Sequence, residues 1–278
     1  MVKLIIQITK LIVLIVLTLL VSSCKITVED GRDGENGKSG NSWFSNEKGS
    51  GNISTQSRKI EGDFSKIEVS NAIVVTFTQS DSKSIEVTTD EELLDNIVTE
   101  INNGVLEIYV ENSINPTKIE VAVFNPNLNA IETSSASEFI ATNEINTQNL
   151  TLESGSASNI ILTTNTAALF VESSSASKQN ITLNGNKNTN VNIESSSAST
   201  VKIEGIAGTG NYDSSSASSI KAGDLQLQNA TTSSSSGSNI KVFAIEKLNA
   251  NASSGSSTKL ANKPKELQID ESSGTSIN

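Results

Sequence analysis

The chain contains no histidine, which removes Ser-His-Asp triads, histidine general bases and most zinc sites together. It has one cysteine, Cys24, so no internal disulfide can staple the fold. Positive charge is scarce: 20 Lys and Arg stand against 31 Asp and Glu, a formal net charge of −11. A surface that acidic argues against nucleic acid and against electrostatic docking on anionic lipid. Apolar runs are short; the longest, residues 11–21, falls below the length of a membrane span. Helical patterning is almost absent, since only residues 91–97 look helical, over at most about two turns.

What is abundant is serine in a repeating block. From Ile131 onward the chain reads IETSSASEF, LESGSASNI, VESSSASKQ, IESSSASTV and YDSSSASSI, then TSSSSGSNI, NASSGSSTK and DESSGTSIN. The small residue in each copy falls at Ala136, Ala157, Ala176, Ala198, Ala217, Gly237, Gly255 and Gly274. Spacings of about 20 residues mark a repeat architecture.

These markers set the phase of the aliphatic residues. Five and seven positions before a marker lie Leu152 and Leu150, Val171 and Leu169, Ile193 and Val191, Ile269 and Leu267. Three and five positions after it lie Ile160 and Leu162, Val201 and Ile203, Ile220 and Ala222, Ile240 and Val242. Alternation of period 2 on both sides of a small-residue corner predicts two half-buried strands joined by a turn. One copy cannot bury its own few aliphatics, whereas stacked copies share a core and pair their strands. Residues 131–278 therefore read as a parallel β-solenoid with one coil per repeat. A coiled coil fails because the apolar spacing is 2 rather than 3.5, and a disordered serine-rich linker would lack regular aliphatics.

The first residues, MVKLIIQITKLIVLIVLTLLVSSC, carry Lys3 and Lys10 around an apolar run that ends in small residues. This is the pattern of an export signal over residues 1–23. Val21-Ser22-Ser23-Cys24 resembles the bacterial lipoprotein box, in which cleavage precedes the cysteine and its thiol is acylated. Several acyl chains on Cys24 would suffice for stable anchoring. The expected location is the cell envelope, as an outer-membrane lipoprotein facing the periplasm or the surface. Residues 24–59 read as a tether, with Gly31, Gly34, Gly37 and Gly40 in a proline-free run too short for collagen. Trp43 and Phe44 are its aromatic pair, expected to dock on the domain.

The folded part opens at Ile60. FSKIEVSNAIVVTFTQ, KSIEVTT, VTEI, GVLEIYV and TKIEVAVF alternate, and Asn102-Asn103-Gly104 is a turn signal. Ser70-Asn71-Ala72-Ile73 is like the later corners, so residues 60–130 are expected to form longer first coils of the same solenoid. Together with IEVTTDEELLDNIVTEINNGVLEIYV and the NLNAIETSSAS corner, these stretches resemble the auto-transporter adhesin family that carries the head GIN domain. The resemblance covers residues 60–278. It implies an all-β, single-stranded right-handed parallel β-helix similar in shape to pectin-lyase-like proteins, often on lipoproteins of the Bacteroidota, with cell adhesion as its function. This chain differs in writing many corners S-A-S where the family uses a glycine-centred form.

Without histidine, the remaining chemistry lies in carboxylates. Glu132, Glu153, Glu172, Glu194 and Asp213 each stand four positions before a marker, which predicts a column with neighbours about 4.8 Å apart. Such a column is a solvated ladder, a site for calcium or another cation, or a carboxylate pair of the kind a retaining glycosidase uses. Lys202, Lys221, Lys241 and Lys259, four positions after the markers, form a second column. Glu194 with Lys202, and Asp213 with Lys221, are placed to offset charge across a corner. Ser195, Ser197 and Ser199 form an internal hydroxyl ladder if the strand runs straight, or a hydroxyl-rich outer surface if it bends. The last corner, Gly274–Asn278, has no polar cap, which predicts pairing of that coil with a second copy or a partner. The expected function is non-catalytic binding of surfaces, glycans or other cells, with no cofactor. A carbohydrate-active β-helix enzyme using the acid column is the alternative.

Overall fold

The computed structural model describes residues 47–272 and 274–278. The export signal, Cys24, and the Trp43–Phe44 pair lie outside the described residues. The first part comprises β1 (Glu47–Lys48), β2 (Ile53–Arg58), β3 (Lys66–Val69), β4 (Val74–Gln79), β5 (Ser84–Asp90), β6 (Ile97–Asn102), β7 (Val105–Val110), β8 (Ile114–Asn115) and β9 (Glu120–Asn125). Residues Glu91–Asn96 form a short 3-10 helix.

β3 and β4, on either side of the Asn71–Ala72 corner, run parallel to the coil that follows and to β7 and β9. Around them the chain turns back on itself. β2 pairs antiparallel with β5, β5 with β9, and β6 with β7 across the Asn103–Gly104 turn. The first coils are thus elaborated by hairpins, a feature the alternation alone does not reveal. Residues 53–58, which the sequence places in the tether, are the strand β2, held by its ladder to β5.

The repeats follow as β10 (Ala130–Thr133), β11 (Glu138–Ala141), β12 (Ile145–Ser154), β13 (Asn159–Ser173), β14 (Lys178–Asn184), β15 (Asn190–Ser195), β16 (Thr200–Ser214), β17 (Ser219–Ser234), β18 (Asn239–Ala252), β19 (Ser257–Leu260), β20 (Glu266–Glu271) and β21 (Ser276–Ile277). All their pairings are parallel, so the protein is a parallel β-solenoid. β13, β16, β17 and β18 each run without a break from one corner to the next. In the longest repeat the extra residues are extruded between β14 and β15.

Register puts like beside like. Ile131, Leu152, Val171, Ile193 and Tyr212 are successive partners in one column, and Phe139, Ile160, Gln179, Val201, Ile220 and Ile240 in another. These columns fill the interior, with almost every member buried. Phe77 and Phe139 stack at 5.9 Å in the first coils. Two columns depart from aliphatic character. Tyr212 is buried where its partners on either side are Ile193 and Thr232, and Gly210, two residues earlier, leaves room beside its ring. Gln179 is buried too, its Nε2 donating to Ser154 Oγ at 2.8 Å and to the Glu172 carbonyl at 2.7 Å. In the last coil Leu267 and Ile269 keep the core parity but are 43% and 48% exposed, since β20 is paired only with β18.

The corners are the second source of cohesion. Ser135 and Ala136 both have positive φ, 51° and 60°, and the Ser137 N–H donates to the Ser134 carbonyl at 3.1 Å. That is a type I′ turn, and the pattern recurs at Ser156–Ala157, Ser175–Ala176, Ser197–Ala198 and Ser216–Ala217. From Ala136 to Gly237 the marker N–H then donates to the tip serine carbonyl of the next coil, as Ala136 does to Ser156 at 2.9 Å.

The bend sorts the serines. Ser195 and Ser199 are buried while Ser197 and Ala198 stand exposed at the tip. Inside, Ser199 Oγ lies 2.9 Å from Ser195 Oγ and donates to the Ser173 carbonyl at 2.7 Å. That carbonyl also accepts the Ser196 N–H at 2.9 Å, so both its lone pairs are used. Ser137, Ser158, Ser177, Ser218, Ser238 and Ser256 repeat the contact in their own coils. Serine serves here because the corner is too narrow for a branched aliphatic, and its hydroxyl satisfies carbonyls that would otherwise be short of a partner. Ser199→Ala is expected to cost about 1–3 kcal/mol, because the buried Ser195 hydroxyl loses its partner and the Ser173 carbonyl keeps only the Ser196 N–H. Ser197→Ala is expected to stay within about 0.5 kcal/mol. Urea titration of the two variants reads the contrast, and equal costs would refute the inside–outside sorting.

Candidate binding face

Four positions before each marker the side chain points outward, because it has the opposite parity to the core residue beside it. The acids of this column are direct partners in the parallel ladders: Glu132 with Glu153, Glu153 with Glu172, Glu172 with Glu194, and Glu194 with Asp213. The column continues upward through Glu68 and Glu107, which the sequence does not mark because the first coils are longer than the repeat. Below Asp213 it is neutral at Ser233 and Asn251 and acidic again at Asp270.

Lys66 enters this column from β3. Its Nζ lies 2.6 Å from Glu68 and 2.8 Å from Glu132, one ammonium bridging carboxylates of adjacent coils. Burial works to lower its pKa, but the hydrogen bonds to Glu132 and Glu68 outweigh it and hold the ammonium above the usual lysine range. No lysine occupies the equivalent place further down, where the register partners are Ala130, Thr151, Phe170 and Asn192. Phe170 is 44% exposed there. Two shallow depressions of about 210 and 160 Å3 follow the acids, and Glu132 and Ser134 line both. Because the carboxylates lie along a line they do not converge, and among the described residues no group of three or more could hold a metal ion between them.

On the other flank of the corner, Lys202, Lys221, Lys241 and Lys259 are successive partners, all exposed. The charge offset read from the sequence does not form: Glu194–Lys202 and Asp213–Lys221 are not ion pairs. Lys202 instead faces Glu204 of its own strand at 3.9 Å. The type I′ corner turns the two flanks onto different faces, so acids and lysines in one coil point away from each other. Above Lys202 the lysine column holds Asn180, Ile161 and Ile140. Acids therefore dominate one flank of the upper coils and lysines the other flank of the lower coils, and between the flanks runs the ridge of exposed tips.

A carboxylate unmarked in the sequence clips the first coils together. Asp90 is buried, and it accepts the Thr117 N–H at 2.7 Å, the Thr117 hydroxyl at 2.9 Å and the Gly51 N–H at 2.6 Å. The Thr117 N–H above all holds its carboxyl below the usual range, against burial, which pushes it up. A native pKa below the unfolded value stabilises fully above the unfolded pKa of about 3.9 and is lost as pH falls through the native one. Thermal midpoints measured on the acid side of about pH 4 are expected to fall less steeply in Asp90→Asn than in the parent; parallel curves would refute the clip.

Among the described residues no helix is long and apolar enough to cross a membrane. The coil architecture recurs in solved structures. A protein described as a putative adhesin from Parabacteroides merdae superposes with TM-score 0.77 at 19% identity, over 83% of this chain and 97% of that one. A putative lipid binding protein from Parabacteroides distasonis gives 0.74 at 24% identity, over 84% and 99%. A putative adhesin from the same organism gives 0.77 at 20%, over 84% and 99%. At these identities the likeness is one of fold. No curated protein matches the chain. The family model described as "Putative auto-transporter adhesin, head GIN domain" matches residues 63–264, from the first hairpin-bearing coils through the serine corners. Most of the chain, including every fully formed corner, thus falls within that match, and the chain belongs to the auto-transporter adhesin family with the head GIN domain.

Proposed function

We propose that this chain is a non-catalytic binding protein of the cell envelope, held by acyl chains on Cys24, that mediates adhesion to surfaces, glycans or other cells. The observation that carries the reading is the outer surface of the coils: exposed corner tips in line, flanked by registered columns of like side chains, with the same groups offered at every rung. Such a surface suits an extended partner that is engaged at many weak points. Membership of an adhesin family supports the same reading. A glycosidase instead needs one distinct carboxylate pair in a cleft, whereas Glu153, Glu172 and Glu194 are equivalent neighbours on an open face. The test applies the protein without residues 1–23 to a glycan array and, in parallel, to a panel of polysaccharides for depolymerisation. Retention on glycans or on whole cells without turnover is expected. Turnover abolished by Glu172→Gln or Glu194→Gln would replace this reading with an enzymatic one.

A further inference from the structure

We propose that copies of this chain associate side by side, the lysine column of one copy seating on the acid column of the next. Three observations carry it. First, Lys66 shows within the chain what the acid column accepts, an ammonium held between carboxylates of adjacent coils at 2.6 and 2.8 Å. Second, Glu153, Glu172, Glu194 and Asp213 repeat those carboxylates at the same register, and among the described residues none of them is in an ion pair. Third, Lys202, Lys221, Lys241 and Lys259 form an exposed ladder of the same number of rungs, and the corner keeps them from reaching their own acids.

Pitch selects the partner. Both ladders are spaced by the inter-strand distance, about 4.8 Å. A second solenoid of the same kind therefore matches the acids rung for rung. An extended peptide does not, since its side chains on one face recur at about 6.6–6.8 Å.

The ladders also fix the form of the assembly. Acids occupy the coils of Ala157 to Ala217, and lysines those of Ala198 to Gly255, two coils further along. Full engagement shifts neighbouring copies by two coils, roughly 10 Å. A shifted contact between different surfaces is heterologous and does not close, so it propagates into clusters rather than stopping at a dimer. Each exposed ion pair contributes little, and the array acts through number on a surface where many copies are displayed. Net charge opposes approach at low ionic strength, while high salt screens the ladders. Clustering is thus greatest at intermediate salt, on the order of 0.1 M, and is lost near about 1 M.

The inference rests on reading the chain as a binding protein and adds the partner; glycan retention and self-clustering are measured separately and can fail separately. The test displays the full chain on phosphatidylcholine vesicles and follows clustering by light scattering. Two variants are compared: one with Lys202, Lys221, Lys241 and Lys259 changed to Glu, the other with Glu153, Glu172, Glu194 and Asp213 changed to Lys. Both alter outward-facing side chains, exposed except for the half-buried Glu153, and circular dichroism confirms the fold. The expected result is that the parent clusters, each variant alone loses clustering at least about tenfold, and mixed vesicles of the two regain it. A control with Lys48, Lys59, Lys187 and Lys263 changed to Glu carries the same net charge as the first variant and should cluster like the parent. A parent that stays dispersed at every salt concentration, variants that cluster as it does, or a control that loses clustering equally would each overturn the proposal.

Discussion

Gly205→Ala is expected to destabilise the protein by about 3 kcal/mol, one of the largest effects of any single methyl group in this fold. Gly205 lies in β16 with φ +127°, between Leu183 of the coil before and Leu225 of the coil after. A β-carbon there would fall inside the van der Waals envelope of the Leu183 carbonyl oxygen. That oxygen belongs to backbone fixed in the neighbouring ladder and cannot swing aside. Two costs add: a left-handed backbone for an L-residue, about 1–2 kcal/mol, and overpacking of a tight contact, about 1–3 kcal/mol. For a domain of this size, about 2–4 °C per kcal/mol translates the loss into a thermal midpoint lower by roughly 10 °C. Gly237→Ala is the control. Gly237 has φ 70° with nothing within 4 Å of its would-be β-carbon, so only the backbone cost remains. A Gly205→Ala protein no less stable than Gly237→Ala would show that the coils do not approach as closely as described.

The opposite result is expected when Ala136, Ala157, Ala176, Ala198 and Ala217 are all changed to glycine. These alanines hold φ of 60–62° at exposed tips. Relief of the left-handed strain returns about 1–2 kcal/mol per site, and the extra freedom glycine brings to the unfolded chain takes back about 0.4–1 kcal/mol. The net gain is about 0.5–1 kcal/mol per corner, and together about 3 kcal/mol, a thermal midpoint higher by roughly 10 °C. Little packing is lost, because the methyl groups face solvent. A lower midpoint would mean that the methyl groups contribute packing along the ridge that outweighs the strain.

Much of the solenoid is legible one coil at a time. Period-2 aliphatics at fixed distances from a small residue define inside, outside and corner without reference to any other part of the chain. Because successive coils share that phase, the register follows, and with it the columns of Glu153, Glu172, Glu194 and Lys221, Lys241, Lys259. Gln179 and Tyr212 break the aliphatic columns, and the sequence offers no sign of what accommodates them. The Gln179 amide nitrogen donates to a serine one coil away, and Tyr212 fits because Gly210 vacates the adjacent position. The first coils hide more. Their hairpins put Glu68 and Glu107 on the acid column through long loops, so no constant spacing links them to Glu132.

Local alternation and repeat length, properties of neighbours in the chain, determined by themselves that this protein is a stacked β-structure with registered faces. Three matters were decided only in the folded molecule: which serines of a corner turn inward, that acids and lysines of one coil cannot meet, and that Lys66 bridges Glu68 and Glu132. The reason is the bend. A type I′ corner redirects the strand by an angle that residue parity does not encode, and the side-chain partners beyond it belong to other coils, brought near by stacking rather than by sequence.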